Sequence, residues 1–153
     1  AESDGKANLH KGGVGVGLDM ATGLTMRAMQ HDELIDIHPD TAHPLENIQA
    51  PYWDDILMMA AKSYEVTGLG YIGVDIVLDR EKGPLLLELN ARPGISIQIA
   101  NRRGLRFVLE KASELADPKL TPQARVELAK TLPLLAEARG APVLAPAADA
   151  IQP

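Results

Sequence analysis

The sequence predicts an α+β fold in which helices pack on one side of a mostly antiparallel sheet. Two segments, 14–29 and 70–90, alternate apolar and polar residues on either side of a turn, as β-hairpins do. Three others, 51–66, 105–116 and 123–138, have apolar side chains at helical spacing. The chain of 153 residues has the size of one domain, and its core must be aliphatic because aromatic residues make up only 3%.

The first hairpin follows a segment, residues 5–17, that is too rich in glycine for a packed helix or strand interior. A turn at 21–23 returns the chain as a second strand over 24–29. Residues 30–50 carry three of the four histidines without clear periodicity, so we expect an irregular excursion with a short strand at 34–37. The spacing of these histidines and the absence of cysteine argue against a zinc site.

The first helix is expected to begin at Pro51, because proline suits the first helical position, and to end at Gly68. Asp54 in its first turn complements the helix dipole. The two later helices close the fold. The end of the chain is rich in alanine and proline, so we expect one domain over residues 1–139 and a flexible tail over 140–153.

The composition disfavours several classes of function. Fifteen basic and 21 acidic residues give a net charge of -6 without a dense Lys/Arg run, which argues against nucleic acid as a partner. The lack of cysteine excludes disulfides, thiolate metal sites and cysteine nucleophiles. No apolar run approaches the roughly 20 residues that span a bilayer, and the start lacks the features of a signal peptide. We therefore expect a cytoplasmic protein without membrane insertion.

The second hairpin places polar side chains on one face. Symmetric pairing about its turn, residues 80–83, sets Asp75 opposite Glu88 and Asn90 opposite Gly73. The other face is then wholly apolar, with Ile72, Val74, Ile76, Leu78, Leu85, Leu87 and Leu89. That apolar face is expected to fix the register, because a one-residue slip would bury the carboxylates.

Two like charges directly opposed on a sheet destabilise it by up to ~1 kcal/mol, so the pair calls for a cation. Oxygen ligands favour Mg²⁺, Mn²⁺ or Ca²⁺. Mg²⁺ takes few protein carboxylates and completes its shell with water and substrate phosphates, which suggests a nucleotide. The alternatives are a Ca²⁺-binding structural hairpin and an amphipathic hairpin whose polar face is merely solvated.

The motif GVDIV, followed by the turn and LLLELNARPG, resembles the metal-binding hairpin of ATP-grasp enzymes. The upstream NLHKGG resembles the corresponding loop of RimK-type glutamate ligases, and the similarity covers about residues 4–116. The longer stretch NLHKGGVGVGLDMATG is similar to RimK-related alpha-L-glutamate ligase homologues and to the neighbouring sugar-transfer-associated ATP-grasp group. The resemblance implies the carboxy-terminal ATP-grasp subdomain.

The resemblance also implies roles for individual residues. It assigns three ligands to one or two Mg²⁺ or Mn²⁺ ions at the phosphates of ATP, namely Asp75, Glu88 and Asn90. It places Asn8 near the phosphates and the reacting carboxylate, and Arg92 within reach of phosphate or substrate oxygens. His10 and Lys11 are further candidates for the nucleotide site, with ordinary loop polarity as the alternative.

The implied enzyme is a ligase that joins a carboxylate and an amine. The γ-phosphate of ATP passes to a small-molecule or peptide carboxylate, and an amine then attacks the acyl phosphate to form an amide. Because Ala1 is not Met, we expect the remainder of the enzyme upstream and a fragment that is inactive alone. The alternatives are a sugar-transfer-associated ATP-grasp protein and a non-catalytic binding module that keeps the ATP-grasp shape.

Overall fold

A computed structural model of the protein describes residues 12–94 and 105–137, with side chains as far as residue 132. In these ranges the strands are β1 (Gly15–Leu18), β2 (Thr25–Gln30), β3 (Glu33–Ile35), β4 (Gly73–Asp79) and β5 (Gly83–Asn90). The helices are α1 (Trp53–Thr67), α2 (Leu105–Leu115) and α3 (Pro122–Glu137). All pairings between these strands are antiparallel, which confirms the predicted α+β class. The expected tail over 140–153 lies outside the described residues.

The strands form two sheets, one of order β1-β2-β3 and one of β4 and β5. The first hairpin turns where predicted, because Asp19 accepts hydrogen bonds from the backbone N–H and the hydroxyl of Thr22, each at 2.8 Å. Gly23 follows in the left-handed conformation with φ 74°. The excursion after β2 is more regular than expected. It begins with a two-residue turn at His31 and Asp32, both with positive φ, which suits the twist of a tight hairpin.

Helix α1 ends as predicted but begins later than predicted. Gly68 has φ 66°, and its N–H donates to the carbonyl of Tyr64 at 2.7 Å. At the other end the helix begins at Trp53 and not at Pro51. The reason is the backbone of Tyr52, whose φ of 57° is left-handed and cannot continue a right-handed helix.

Helix α1 connects the hairpin β4–β5 to the closing helices, since it contacts both strands and packs along α3. Two ion pairs join α1 to α3: Lys130 with Asp54 at 2.7 Å, and Arg125 with Glu65. The guanidinium of Arg125 also lies 4.3 Å from the ring centre of Tyr64. Among the described residues the buried apolar side chains are those of Ala28, Leu45, Leu57 and Val126. Where the structure is described, no helix is both long and apolar enough to cross a bilayer.

Candidate metal centre

The register of β4 and β5 brings the predicted ligands together. Asp75 pairs with Glu88 and Gly73 pairs with Asn90, as the symmetric hairpin predicted. Because side chains alternate along a strand, the two carboxylates and the Asn90 amide share one face. Both carboxylate residues are exposed and Asn90 is half-buried. The face is therefore open to a ligand at its acidic end.

The register changes immediately beyond the acidic pair. Ile76 pairs with Leu86 rather than Leu87, so Leu87 is an extra residue opposite the junction of Asp75 and Ile76. This irregularity has the form of a β-bulge, which bends a strand and redirects side chains, often beside a functional site. Leu87 is 65% exposed, so its predicted place on the buried apolar face was wrong.

The cause of the shift lies at the turn. Asp79 pairs with Gly83 around a three-residue loop, whereas symmetric pairing about residues 80–83 sets Asp79 opposite Pro84 across a four-residue turn. The carboxylate of Asp79 accepts hydrogen bonds from the backbone N–H of Glu81 and Lys82, each at 2.9 Å, and Gly83 takes the left-handed φ of 73° that closes such a loop. The shorter loop shifts β5 by one residue against β4, and the bulge restores the register before the acidic pair.

The shift also changes the character of the site face. Val77 pairs with Leu85, and both lie on the same side as Asp75. They are 40% and 36% exposed, so the predicted place of Leu85 on the opposite face was wrong as well. The face is polar at Asn90 and apolar toward the turn. The sequence does contain a signal for the three-residue loop, because an aspartate at 79 is followed four residues later by a glycine at 83. The same loop places the apolar pair Val77 and Leu85 on this face.

The chain reverses directly after Asn90, and this reversal shapes the polar end of the site. The backbone N–H of Arg92 donates to Oδ1 of Asn90 at 2.9 Å. Pro93 then folds back over Gly73, where an added Cβ would lie 2.9 Å from the Cβ of Pro93. Glycine at 73 thus permits the reversal. The Asn90 oxygen is held in place by one bond, and an amide oxygen has a second lone pair with which to contact a cation.

The electrostatics of the site favour a cation. No described Lys or Arg forms an ion pair with Asp75 or Glu88, so their like charges face each other without a protein counter-charge in this part of the chain. Nor do the described residues contain three His, Cys, Asp or Glu side chains grouped to hold a metal. Two carboxylates and one amide oxygen are a sparse set. Such a set suits Mg²⁺, which keeps water and phosphate oxygens in its shell, better than Ca²⁺ with its six to eight ligands.

Of the remaining site residues predicted from the sequence, only Arg92 lies in the part of the chain that the structure describes. Asn8, His10 and Lys11 are outside the described residues. The first described residue after them, Gly12, accepts a hydrogen bond from Nε2 of Gln30 at 2.9 Å, which attaches this end of the segment to β2. Arg92 is exposed and follows Asn90 by two residues, so it lies at the polar end of the hairpin.

Comparison with known proteins gives one match. The model of the family described as sugar-transfer associated ATP-grasp matches residues 1–114, which include both hairpins, helix α1 and nearly all of α2. No curated protein and no solved structure matches the chain significantly. The matched range ends before α3.

Proposed function

The chain belongs to the sugar-transfer associated ATP-grasp family, and from this premise we propose that it carries the metal site of an ATP- and Mg²⁺-dependent carboxylate–amine ligase. The observation that carries the proposal is the direct pairing of Asp75 with Glu88, with Asn90 two residues further along β5. An opposed acidic pair on an exposed sheet face is unfavourable without a cation. The ATP-grasp family supplies the reason for a cation there.

Each residue of the hairpin has a role that follows from its place. Asp75, Glu88 and the Oδ1 atom of Asn90 would hold one or two Mg²⁺ ions. When bound, Mg²⁺ offsets the negative charge of the ATP phosphates. Arg92, at the same end, would bind a phosphate or substrate carboxylate. The apolar pair Val77 and Leu85 would exclude water and contact the less polar part of the nucleotide.

The proposed reaction needs no protein nucleophile. A carboxylate oxygen of the substrate attacks the γ-phosphorus of ATP, ADP leaves, and an acyl phosphate forms. An amine then attacks the acyl carbon, inorganic phosphate leaves, and an amide remains. In such a reaction the protein contributes chiefly by positioning and by charge. Asn8, His10 and Lys11, in the segment that leads to β1, are the residues we propose for the phosphates and the reacting carboxylate.

The family description bears on the substrate. Because it associates these proteins with sugar transfer, we favour a carboxylate or amine on a sugar-linked acceptor over the addition of glutamate to a peptide or protein. The RimK-related glutamate ligase reaction remains the second candidate, on the strength of the segment NLHKGGVGVGLDMATG. The remainder of the ATP-grasp enzyme is the proposed partner of this chain, and dependence on ATP favours a cytoplasmic place of action.

The metal site is tested by adding Mn²⁺ to the isotope-labelled chain while NMR signals are recorded. We expect paramagnetic broadening centred on residues 73–76 and 87–90, and loss of that broadening in Glu88→Gln. The matched control is Glu81→Gln, which removes the same charge from the turn of the same hairpin and leaves the opposed pair intact. Broadening centred instead on the histidines of residues 31–43 would contradict the proposal.

The same titration separates the rival functions. ATP is expected to tighten Mn²⁺ binding at a ligase site, because phosphate oxygens complete the metal shell. A structural Ca²⁺ hairpin would bind Ca²⁺ more tightly than Mg²⁺ and would be indifferent to ATP. A binding module that has lost ligation would show no ATP turnover in the complete protein that contains this chain.

A further inference from the structure

The start of α1 contacts the turns of both hairpins. On one side the Trp53 side chain covers Gly23, where an added Cβ would lie 2.9 Å from the Cβ of Trp53. The indole Nε1 donates to the carbonyl of Met20 at 3.1 Å, and the N–H of Ala50 donates to the carbonyl of Gly23 at 2.9 Å. The β1–β2 turn is therefore attached to the first residue of α1 by a ring and one hydrogen bond, and to the segment before the helix by another.

On the other side Tyr52 lies over the β4–β5 turn. Gly83 is buried, and an added Cβ there would lie 3.8 Å from Cζ of the Tyr52 ring. Tyr52 reaches this position with φ 57° and ψ 31°, and its side chain makes no capping hydrogen bond to the helix. Both features are unfavourable for a bulky residue before a helix. Local preference therefore does not explain a tyrosine at this position. Tyr52 is 54% exposed and its ring lies where a Cβ on Gly83 would contact it, and strain of this kind is concentrated where geometry serves a function.

A third contact holds the same turn of the helix. Lys130 of α3 donates to the carboxylate of Asp54 at 2.7 Å, directly after Trp53. Helix α3 lies beyond the residues that the family model matches. The first turn of α1 is thus fixed on three sides, by one turn from each sheet and by a helix outside the matched range.

From these contacts we infer that Tyr52 and Trp53 are positioning residues that hold the two hairpins in a fixed relative orientation. In the described residues no strand of one sheet pairs with a strand of the other, so their relation depends on the segment that leads into α1 and on the side chains at the start of that helix. The inference rests on the proposed function, in which the hairpin β4–β5 carries the metal site and must keep a fixed orientation to the rest of the fold. Displacement of reacting groups by ~1 Å can cost a hundredfold in rate.

The test removes the Tyr52 ring without adding backbone strain. Tyr52→Asn removes the ring, and asparagine tolerates the left-handed region. Tyr52→Gly also removes the ring, and glycine adopts the left-handed conformation without strain. Tyr52→Phe keeps the ring and serves as the matched control. Residual dipolar couplings of backbone amides in the 153-residue chain report the orientation of each hairpin. One alignment tensor is expected to fit both hairpins in the natural chain and in Tyr52→Phe.

In Tyr52→Asn and Tyr52→Gly we expect two different tensors, with a melting temperature equal to or above that of the natural chain because strain is relieved. A single unchanged tensor in either variant would overturn the inference. In the complete protein that contains this chain, Tyr52→Asn and Tyr52→Gly are expected to lower kcat at least tenfold with little change in KM for ATP. Tyr52→Phe is expected to retain the kcat of the natural protein. Wild-type kcat in Tyr52→Gly would also overturn it.

Failure of the proposed function gives a different result from failure of this inference. If the natural protein binds no Mn²⁺ at the hairpin and turns over no ATP, the ligase proposal fails. The dipolar couplings still decide whether Tyr52 holds the hairpins, because that measurement requires neither metal nor nucleotide.

Discussion

Asp75 and Asp79 lie four residues apart in β4 and face the same side, yet their carboxylates have opposite surroundings. Asp79 accepts two backbone N–H hydrogen bonds, from Lys82 and from Glu81, and these bonds lower the pKa of its carboxyl group. Asp75 lies opposite a second carboxylate, that of Glu88. One acid completes a turn, and the other adds a charge that a bound cation would neutralise.

Residue type alone does not distinguish an acid that completes a turn from an acid proposed to bind a cation. The distinguishing feature is whether the protein itself satisfies the charge. Asp79 has its partners within the next three residues, so its role depends only on the local loop. The partner of Asp75 comes from the neighbouring strand and has the same sign. Variants at the two ends of the hairpin should therefore separate stability from activity.

The largest effect is expected from Glu88→Gln. Metal-ion stabilisation of transferred phosphoryl groups is worth several kcal/mol, so ATP turnover by the complete protein is expected to fall by about 10²–10³-fold or more. The metal-free fold is expected to keep its stability or to gain up to ~1 kcal/mol, because the like-charge pair is removed. Turnover and thermal melts of the same preparation check both. Unchanged turnover, or collapse of the metal-free fold, would show that Glu88 has another role.

At the turn end of the hairpin we expect a substitution to lower stability and to leave metal binding unchanged. Gly83→Ala puts a side chain on a backbone with φ 73°, and a left-handed L-residue costs roughly 1–2 kcal/mol. We expect that loss in the free energy of unfolding by urea, with Mn²⁺ affinity unchanged. Gly70→Ala is the matched control, because Gly70 has no positive φ and an added Cβ would meet nothing within 4 Å. A drop in metal affinity in Gly83→Ala would mean that the two ends are coupled.

The sequence predicted the acidic end of the hairpin better than its turn. The pairing of Asp75 with Glu88 and of Gly73 with Asn90 follows from alternation and the apolar strand interiors, which are local signals. The bulge at Leu87 depends on loop length, which symmetric pairing about residues 80–83 set at four residues where the structure has three. A carboxylate that bonds two N–H groups and a left-handed glycine together favour the three-residue loop, and neither is a feature of hydrophobic periodicity.

The start of α1 was missed for a different reason. Proline at 51 is a sound local signal for a first helical position, and the helix nevertheless begins two residues later. The ring of Tyr52 lies near Gly83, which is 31 positions away in the chain, and no local pattern reports such proximity. The helix end at Gly68 was predicted correctly because a C-terminal glycine acts within a few residues.

The smallest expected effect concerns pH and Asp79. Its folded-state pKa is lowered from the ordinary 3.8, chiefly by the Lys82 N–H and then by the Glu81 N–H. A lowered pKa means that the ionised carboxylate contributes stability above the unfolded-state value, and this contribution disappears as pH falls through the folded-state value. Asp79→Asn keeps an oxygen that accepts both bonds and removes only the titrating charge.

We therefore expect the melting temperature of the natural chain to exceed that of Asp79→Asn by a constant, small margin at neutral pH. The margin is expected to shrink as pH falls below 3.8. Melts recorded at low and high salt supply the control, because salt screens interactions between exposed charges but leaves short hydrogen bonds largely intact. A margin that vanishes in high salt at neutral pH would assign the effect of Asp79 to distant charges and not to the turn.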